Sequence, residues 1–239
     1  MDVQYNLKCI NEQIQTHCEK SNISTMPNVI AVTKYVTIDR ANDAYNAGIR
    51  HFGENRLEGF QQKKAALPKD AVMHFIGSLQ TRKVKEVINE VDYFHALDRL
   101  KLAKEIDKRA EHKIKCFVQV NVSGESSKQG VSLSEVNTFI EELKQYENIE
   151  IVGLMTMAPL TEDEPYIKSL FQLLKTKRDE IKALNLNNAP CTELSMGMSN
   201  DYNLAIEAGA SSVRIGIKLV GIEESAPRLK KIYLMDFSL

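Results

Sequence analysis

Eight short runs of apolar and small residues recur along the chain, each separated from the next by a stretch with helical periodicity. They are "NVIAVTK" from Asn28, "RHFGEN" from Arg50, "MHFIGS" from Met73, "DYFHALD" from Asp92, "KCFVQVNV" from Lys115, "EIVGLMTM" from Glu150, "TELSMG" from Thr192 and "SVRIG" from Ser212. Runs of this length that do not alternate with polar residues are the mark of parallel strands covered by helices on the outside. The segments between them carry helix signals. Ser132 and Glu135 form an S-x-x-E capping box before Val136, Phe139, Ile140 and Leu143. Pro165 opens the turn ahead of Ile167, Leu170, Phe171 and Leu174, and Gly48 and Gly209 stop two short helices. Strand and helix thus alternate throughout, and eight such units in 239 residues predict an α/β fold, a single (β/α)8 TIM barrel.

One additional helix precedes the barrel. In "MDVQYNLKCINEQIQTHCEK" the residues Val3, Leu7, Ile10, Ile14 and Cys18 form one face, without the apolar block of a signal peptide. No linker divides residues 1–239, so one domain is expected. A doubly wound open sheet is the alternative, disfavoured by the lack of G-x-G-x-x-G after a first strand and of any GxxxxGK[ST].

In a barrel the C-terminal ends of the strands form one rim, where active sites of this fold are built. Lys34, Asn55, Ser78, Asn121, Met155, Ser195 and Arg214 are expected at or near it. Barrels of this kind often hold phosphate in the loops after the seventh and eighth strands, with free backbone N–H groups and a helix N-terminus. Ser199 is read as the N-cap of the "NDYNLAIEAG" helix, and Gly216 allows close approach after the last strand. A phosphate cup is one reading; an ordinary capped helix with a packing glycine is the other. Arg214 fits either a structural ion pair or a donor to a ligand ring nitrogen. Lys34, expected across the barrel mouth from the cup, is either a rim lysine or a Schiff-base former for a phosphorylated carbonyl compound. Pyridoxal 5'-phosphate and a phosphosugar aldolase substrate both satisfy that outline.

Charge narrows the partners. Thirty-one basic against thirty-two acidic residues give a net charge of -1, so neither nucleic acid nor an anionic membrane is expected as partner. No apolar run approaches a membrane span. Cys9, Cys18, Cys116 and Cys191 show neither a CxxC pair nor metal-ligand spacing, which predicts reduced, mostly packed thiols in a cytoplasmic protein without a metal site. His74 is expected as a packed core histidine, Lys128 as a surface or lid lysine, and the methionines of "GLMTM" and "SMGM" as adaptable packing.

The ordered motifs "AVTKYV", "HFGENRLEGFQQK", "MHFIGSLQTRKVK", "VQVNVSGESSKQG", "VGLMTMAP", "LSMGMSND" and "SVRIGIKLVG" resemble the YggS/PROSC family of pyridoxal phosphate homeostasis proteins, in register from about residue 28 to Gly221. The resemblance implies a barrel related to the N-terminal domain of alanine racemase, with pyridoxal phosphate held on Lys34. It implies that Arg214 faces the pyridine nitrogen. Ser199 and the backbone N–H groups of Gly216 and Ile217 would hold the phosphate, and Ser195 and Asn55 would line the pocket near phosphate and ring. Two positions depart from the family: Ile217 stands where Thr is frequent, and Arg82 where Asn is frequent.

An arginine rather than a carboxylate at the pyridine nitrogen leaves that nitrogen unprotonated and weakens the electron sink. A related racemase takes its second base from a separate β domain, and the 18 residues after Gly221 suffice for a final helix or strand but not for a domain. A non-catalytic carrier is therefore expected, monomeric, with no catalytic residue, releasing its cofactor to apo forms of pyridoxal phosphate enzymes. A weak racemase-like enzyme and an aldolase-like phosphosugar enzyme are the alternatives.

Overall fold

The computed structural model describes residues 2–223; any final helix or strand from 224 onward falls outside the described residues. The chain opens with α1 (Val3–Lys20), capped by Asp2, whose Oδ1 accepts from the N–H of Gln4 at 2.9 Å. Its stripe of Val3, Leu7, Ile10, Ile14 and Cys18 is buried, as the spacing predicts. The barrel follows: β1 (Asn28–Val32), α2 (Ile38–Asn46), β2 (His51–Glu54), α3 (Leu57–Ala66), β3 (Val72–Phe75), β4 (Tyr93–Leu97), α4 (Leu100–Arg109) and β5 (Ile114–Asn121). Its second half comprises β6 (Val131–Ser132), α5 (Val136–Glu142), β7 (Ile149–Met155), α6 (Glu164–Ala183), β8 (Glu193–Met198), α7 (Tyr202–Glu207), β9 (Ser212–Ile215) and α8 (Ile217–Val220).

Parallel pairing runs β4-β3-β2-β1-β9-β8-β7-β5, and β5 pairs with β4 to close the ring, so eight strands form a (β/α)8 barrel. Each of the eight apolar runs overlaps one of them. The short β6 is extra: it pairs only with the end of β5, Val131 opposite Val120.

Two local expectations are corrected. Between β3 and β4 the chain makes a 3-10 helix, Thr81–Glu86, rather than an α-helix. Ser132 and Glu135 do not form the reciprocal capping box: the Ser132 hydroxyl bonds the Glu135 carboxylate itself, and Glu135 takes the cap position of α5 without a side-chain cap bond. The serine oxygen is thereby engaged by a side chain in place of a backbone N–H.

The N-terminal helix braces the last described helices, α7 and α8. Asn6 Nδ2 donates to the Leu219 carbonyl at 3.0 Å, and the Tyr202 hydroxyl bonds Gln13. Glu207 accepts from Lys168 at 2.6 Å and Lys20 at 2.8 Å, with His17 on the same oxygen as Lys20. These donors, Lys168 and Lys20 foremost, hold its carboxyl down to about 2. α7 and α8, which follow the last two barrel strands, are thus fixed by α1 and α6. Among the described residues no helix is long and apolar enough to cross a membrane. All four cysteines are free; three are buried, and burial pushes the Cys191 thiol up to about 12.

Candidate functional site

A cavity of about 590 Å³ opens at the C-terminal ends of the strands, within the range of small-molecule sites. Lys34, Asn55, Ser78, Ser199, Arg214, Gly216 and Ile217 are on its wall. Ring closure determines their arrangement. Because β1 pairs with β9 (Ile30 opposite Arg214), the Lys34 turn is next to the Gly216 turn and not across the mouth from it. A methyl group on Gly216 would rest 3.4 Å from the Val32 carbonyl, in ordinary contact.

Lys34 is exposed in the turn that follows β1, its Nζ over the Tyr35 ring at 4.6 Å from the centroid. The turn is held from below by a buried ion pair. Lys63, in the last turn of α3, donates to the carbonyls of Val36 at 3.0 Å and Thr33 at 3.4 Å, the two residues that bracket the Lys34 turn. Its Nζ is 3.6 Å from Glu54 Oε1, which also accepts from the Thr33 hydroxyl at 2.6 Å. Burial raises the Glu54 carboxyl above its usual range, opposed by Thr33, Lys63 and Lys34. Lys63 carries no signal in the sequence because a lysine in a mostly polar helical segment, "LEGFQQKKAA", reads as a solvated residue.

Arg214 is buried on β9. Its Nη1 donates to Ser195 Oγ at 2.5 Å and its Nη2 to the Thr156 carbonyl at 2.8 Å, which orients the guanidinium and leaves three of its five N–H groups free of these two bonds. Burial lowers its pKa to about 10, still far above neutrality, so the group stays cationic. Ser195, expected near the phosphate, is instead fully buried beneath Arg214, facing His95, and does not line the cavity. The alternation of side chains along β8 turns it into the barrel.

Ser199 lines the cavity, but it is not a helix N-cap. α7 begins at Tyr202, with Asp201 in the cap position; Asp201 Oδ1 turns back to accept from the Met198 N–H at 2.5 Å. That turn leaves the Ser199 hydroxyl free of capping. Burial raises the Asp201 carboxyl, opposed by the Met198 N–H and by Arg214. Ile217 opens the short α8, so its N–H and that of Lys218 have no acceptor inside the helix.

Asn55 Oδ1 is buried on the cavity side of β2 with no hydrogen-bond partner among the described residues, an acceptor position that a ligand can fill. Of the other rim candidates, Met155 is buried against Phe117 and Val152, and Asn121 ties its own loop, Nδ2 donating to the Glu125 carbonyl at 2.8 Å. Lys128, expected as a surface or lid lysine, is half-buried in the loop after β5, its Nζ covered and 3.6 Å from Glu125, beside Gln129 of the cavity wall. Arg82 is exposed and bonds Gln80, away from the wall. Gln119 and Asp201 also line the cavity; both fall within the quoted motifs, but no site role is assigned to them from the sequence.

The model of the alanine racemase N-terminal domain matches residues 5–224. The pyridoxal phosphate homeostasis protein of Aquifex aeolicus is 38% identical over 220 residues, covering 90% of this chain and 96% of that one. This chain belongs to the pyridoxal phosphate homeostasis family. The human member is 35% identical over 234 residues, covering 90% of this chain and 84% of that one. PipY of Synechococcus elongatus, a structure with PLP bound, superposes with a TM-score of 0.79 at 30% identity, covering 92% of this chain and all of that one (100%). Family membership agrees with the motif-based reading, including the barrel.

Proposed function

We propose that the chain is a non-catalytic pyridoxal 5'-phosphate carrier: it holds the cofactor as a Schiff base on Lys34 and buffers or delivers it. The observation that carries this reading is that Lys34, in the turn after β1, and the buried, oriented guanidinium of Arg214 on the adjacent β9 line one cavity, beside the turn that opens at Gly216. The PLP-bound structure of PipY, a relative over nearly the whole chain, supports it.

The residues present fit the group. The Lys34 amine is the nucleophile for an aldehyde, losing water to form the imine. Arg214 supplies donors for the pyridine nitrogen. Ser199 and the backbone N–H groups of Gly216 and Ile217 hold the phosphate, and Asn55 offers its free Oδ1 beside them. Bound pyridoxal phosphate serves as an electron sink in enzymes, and a cationic arginine, which gives up no proton at neutral pH, keeps that sink weak. In the same reading the protein is a cytoplasmic, monomeric, one-domain carrier whose recipients are apo pyridoxal phosphate enzymes, with neither nucleic acid nor membrane as partner.

The test is the absorption spectrum after incubation with pyridoxal phosphate, followed by borohydride reduction and peptide mapping. A visible band and a pyridoxyl phosphate adduct on Lys34 are expected; their absence removes the reading. Amino-acid racemase or decarboxylase turnover that disappears in Lys34→Ala would show an enzyme instead of a carrier. A smaller effect is expected at the family departure. Ile217→Thr adds a hydroxyl at the cavity wall and should tighten cofactor binding about fivefold, the worth of one hydrogen bond of about 1 kcal/mol. Equilibrium titration of both proteins measures it.

A further inference from the structure

The interior of a barrel is normally packed with branched apolar side chains, yet two histidines, His74 and His95, are buried inside it and a third, the half-buried His51, joins them end to end. His51 Nδ1 is 2.9 Å from His74 Nε2, His74 Nδ1 is 2.8 Å from His95 Nε2, and His95 Nδ1 is 2.9 Å from Ser195 Oγ. Ser195 Oγ in turn takes the Arg214 Nη1 hydrogen. Strand register explains the path. His74 is opposite Gly53, two residues beyond His51 on β2, and Tyr93 is opposite His74, two residues before His95 on β4. Each step climbs two residues, so the period-2 alternation keeps all three rings inside while the line rises from the start of β2. At His95 it crosses the barrel to β8.

The direction of this line can be assigned. A guanidinium only donates, so Ser195 Oγ accepts from Arg214. The Ser195 hydrogen then has one partner among the described contacts, His95 Nδ1. His95 must therefore carry its proton on Nε2 and donate to His74 Nδ1, and His74 likewise donates from Nε2 to His51 Nδ1. The opposite direction would leave the Ser195 hydroxyl hydrogen without an acceptor in a fully buried position. Only this arrangement gives the buried Ser195, His95 and His74 hydrogens an acceptor within the line, and leaves the Nε2 hydrogen at its partly exposed end, His51. Burial, with the neighbouring His and Arg charges, holds His74 and His95 well below the usual histidine range, in keeping with neutral rings.

We propose that His95, His74 and His51 are positioning residues for Arg214, forming a one-directional hydrogen-bond chain that fixes Ser195 as the acceptor for the guanidinium and so sets how Arg214 presents its remaining donors to a ligand in the cavity. Hydrogen bonds in such a chain polarise one another, so a change at one end is transmitted to the other. Packing alone requires neither a common tautomer nor transmission. The part concerning bound pyridoxal phosphate rests on the function proposed above; the chain itself does not.

Two measurements on the full chain separate these. In the ligand-free, 15N-labelled protein, long-range proton–nitrogen spectra should show the three rings neutral with Nε2–H. In Ser195→Ala the donor to His95 disappears, and His74 and His51 should shift to mixed tautomers. An Nδ1–H or doubly protonated ring in the wild type, or an unchanged His74 and His51 in Ser195→Ala, overturns the chain. With pyridoxal phosphate as probe, His95→Phe should weaken binding about tenfold, the effect of one charge-assisted bond. His95→Asn, which keeps an acceptor for Ser195 at Oδ1, should recover most of that loss. Equal losses in the two variants overturn the positioning role. A wild type that binds no pyridoxal phosphate removes that role along with the function proposed above, while the spectra still decide the chain.

Discussion

Lys63→Met will destabilise the fold by about 3–5 kcal/mol at neutral pH, the cost of leaving one member of a buried ion pair without its partner. The methionine fills similar space, so the loss is electrostatic rather than a cavity. What remains is Glu54, 1% exposed, with the Thr33 hydroxyl as its one side-chain hydrogen-bond donor among the described residues. The carbonyls of Thr33 and Val36 lose their shared donor as well. Chemical denaturation measures the change. Its pH dependence identifies the cause. Burial raises the Glu54 pKa in the folded protein above its unfolded value, so this group's contribution is fully present below the unfolded pKa and is lost as pH rises through the folded one. Removing Lys63 takes away an interaction that lowers that pKa, which widens the window. The deficit of Lys63→Met should therefore shrink in acid, below the unfolded carboxylate range, and grow toward neutrality. A deficit independent of pH would assign the loss to packing. In the same variant the Lys34 turn is no longer anchored from below, and capture of pyridoxal phosphate on Lys34 should weaken.

Much of this architecture is legible in the residues because parallel strands buried on both faces leave uninterrupted apolar runs. "KCFVQVNV" and "EIVGLMTM" announce β5 and β7 without help from any partner, and the stripe from Val3 to Cys18 announces α1. The cavity members Lys34, Arg214, Gly216 and Ile217 follow from strand ends together with the family motifs. What was not legible depends on register and closure. A closed eight-stranded barrel already requires its first strand to pair with its last, so the expectation of Lys34 across the mouth overlooks closure, and Lys34 is a neighbour of Gly216. Ser195 and Ser199 belong to one "SMGMS" stretch but face opposite ways, one into the barrel and one onto the cavity. Whether Ser199 or Asp201 occupies the cap position is a matter of one turn, decided by the bond from Met198 to Asp201. The histidine line is a property of three registers at once: His51, His74 and His95 are more than twenty residues apart in sequence and meet only because each strand is shifted against the last.

Gly77→Ala tests how tightly the cavity wall is built. An added Cβ at Gly77 would fall 2.4 Å from the Asn55 carbonyl oxygen and 2.8 Å from Asn55 Cα, and both are backbone atoms. No side-chain rotation relieves such an overlap, so the turn after β2 or the turn after β3 must move. Neither is free to do so: Ile76 N–H is bonded to the Glu54 carbonyl at 2.8 Å, and Glu54 belongs to the Lys63 pair. The expected cost is about 1–3 kcal/mol, the usual range for overpacking, read from the denaturation midpoint. A functional effect of comparable size should fall on the site itself. Asn55, the residue displaced, carries the unpartnered Oδ1 on the cavity wall, and Ser78 adjoins the new methyl group. Pyridoxal phosphate affinity should then fall by at least the tenfold that one lost buried contact brings, measured by titration under conditions where the variant remains folded. A variant that unfolds more readily yet binds as the wild type would show that Asn55 supports the wall without touching the ligand. One that keeps both properties would mean that the two turns yield together, and that the close approach at Gly77 constrains nothing in the site.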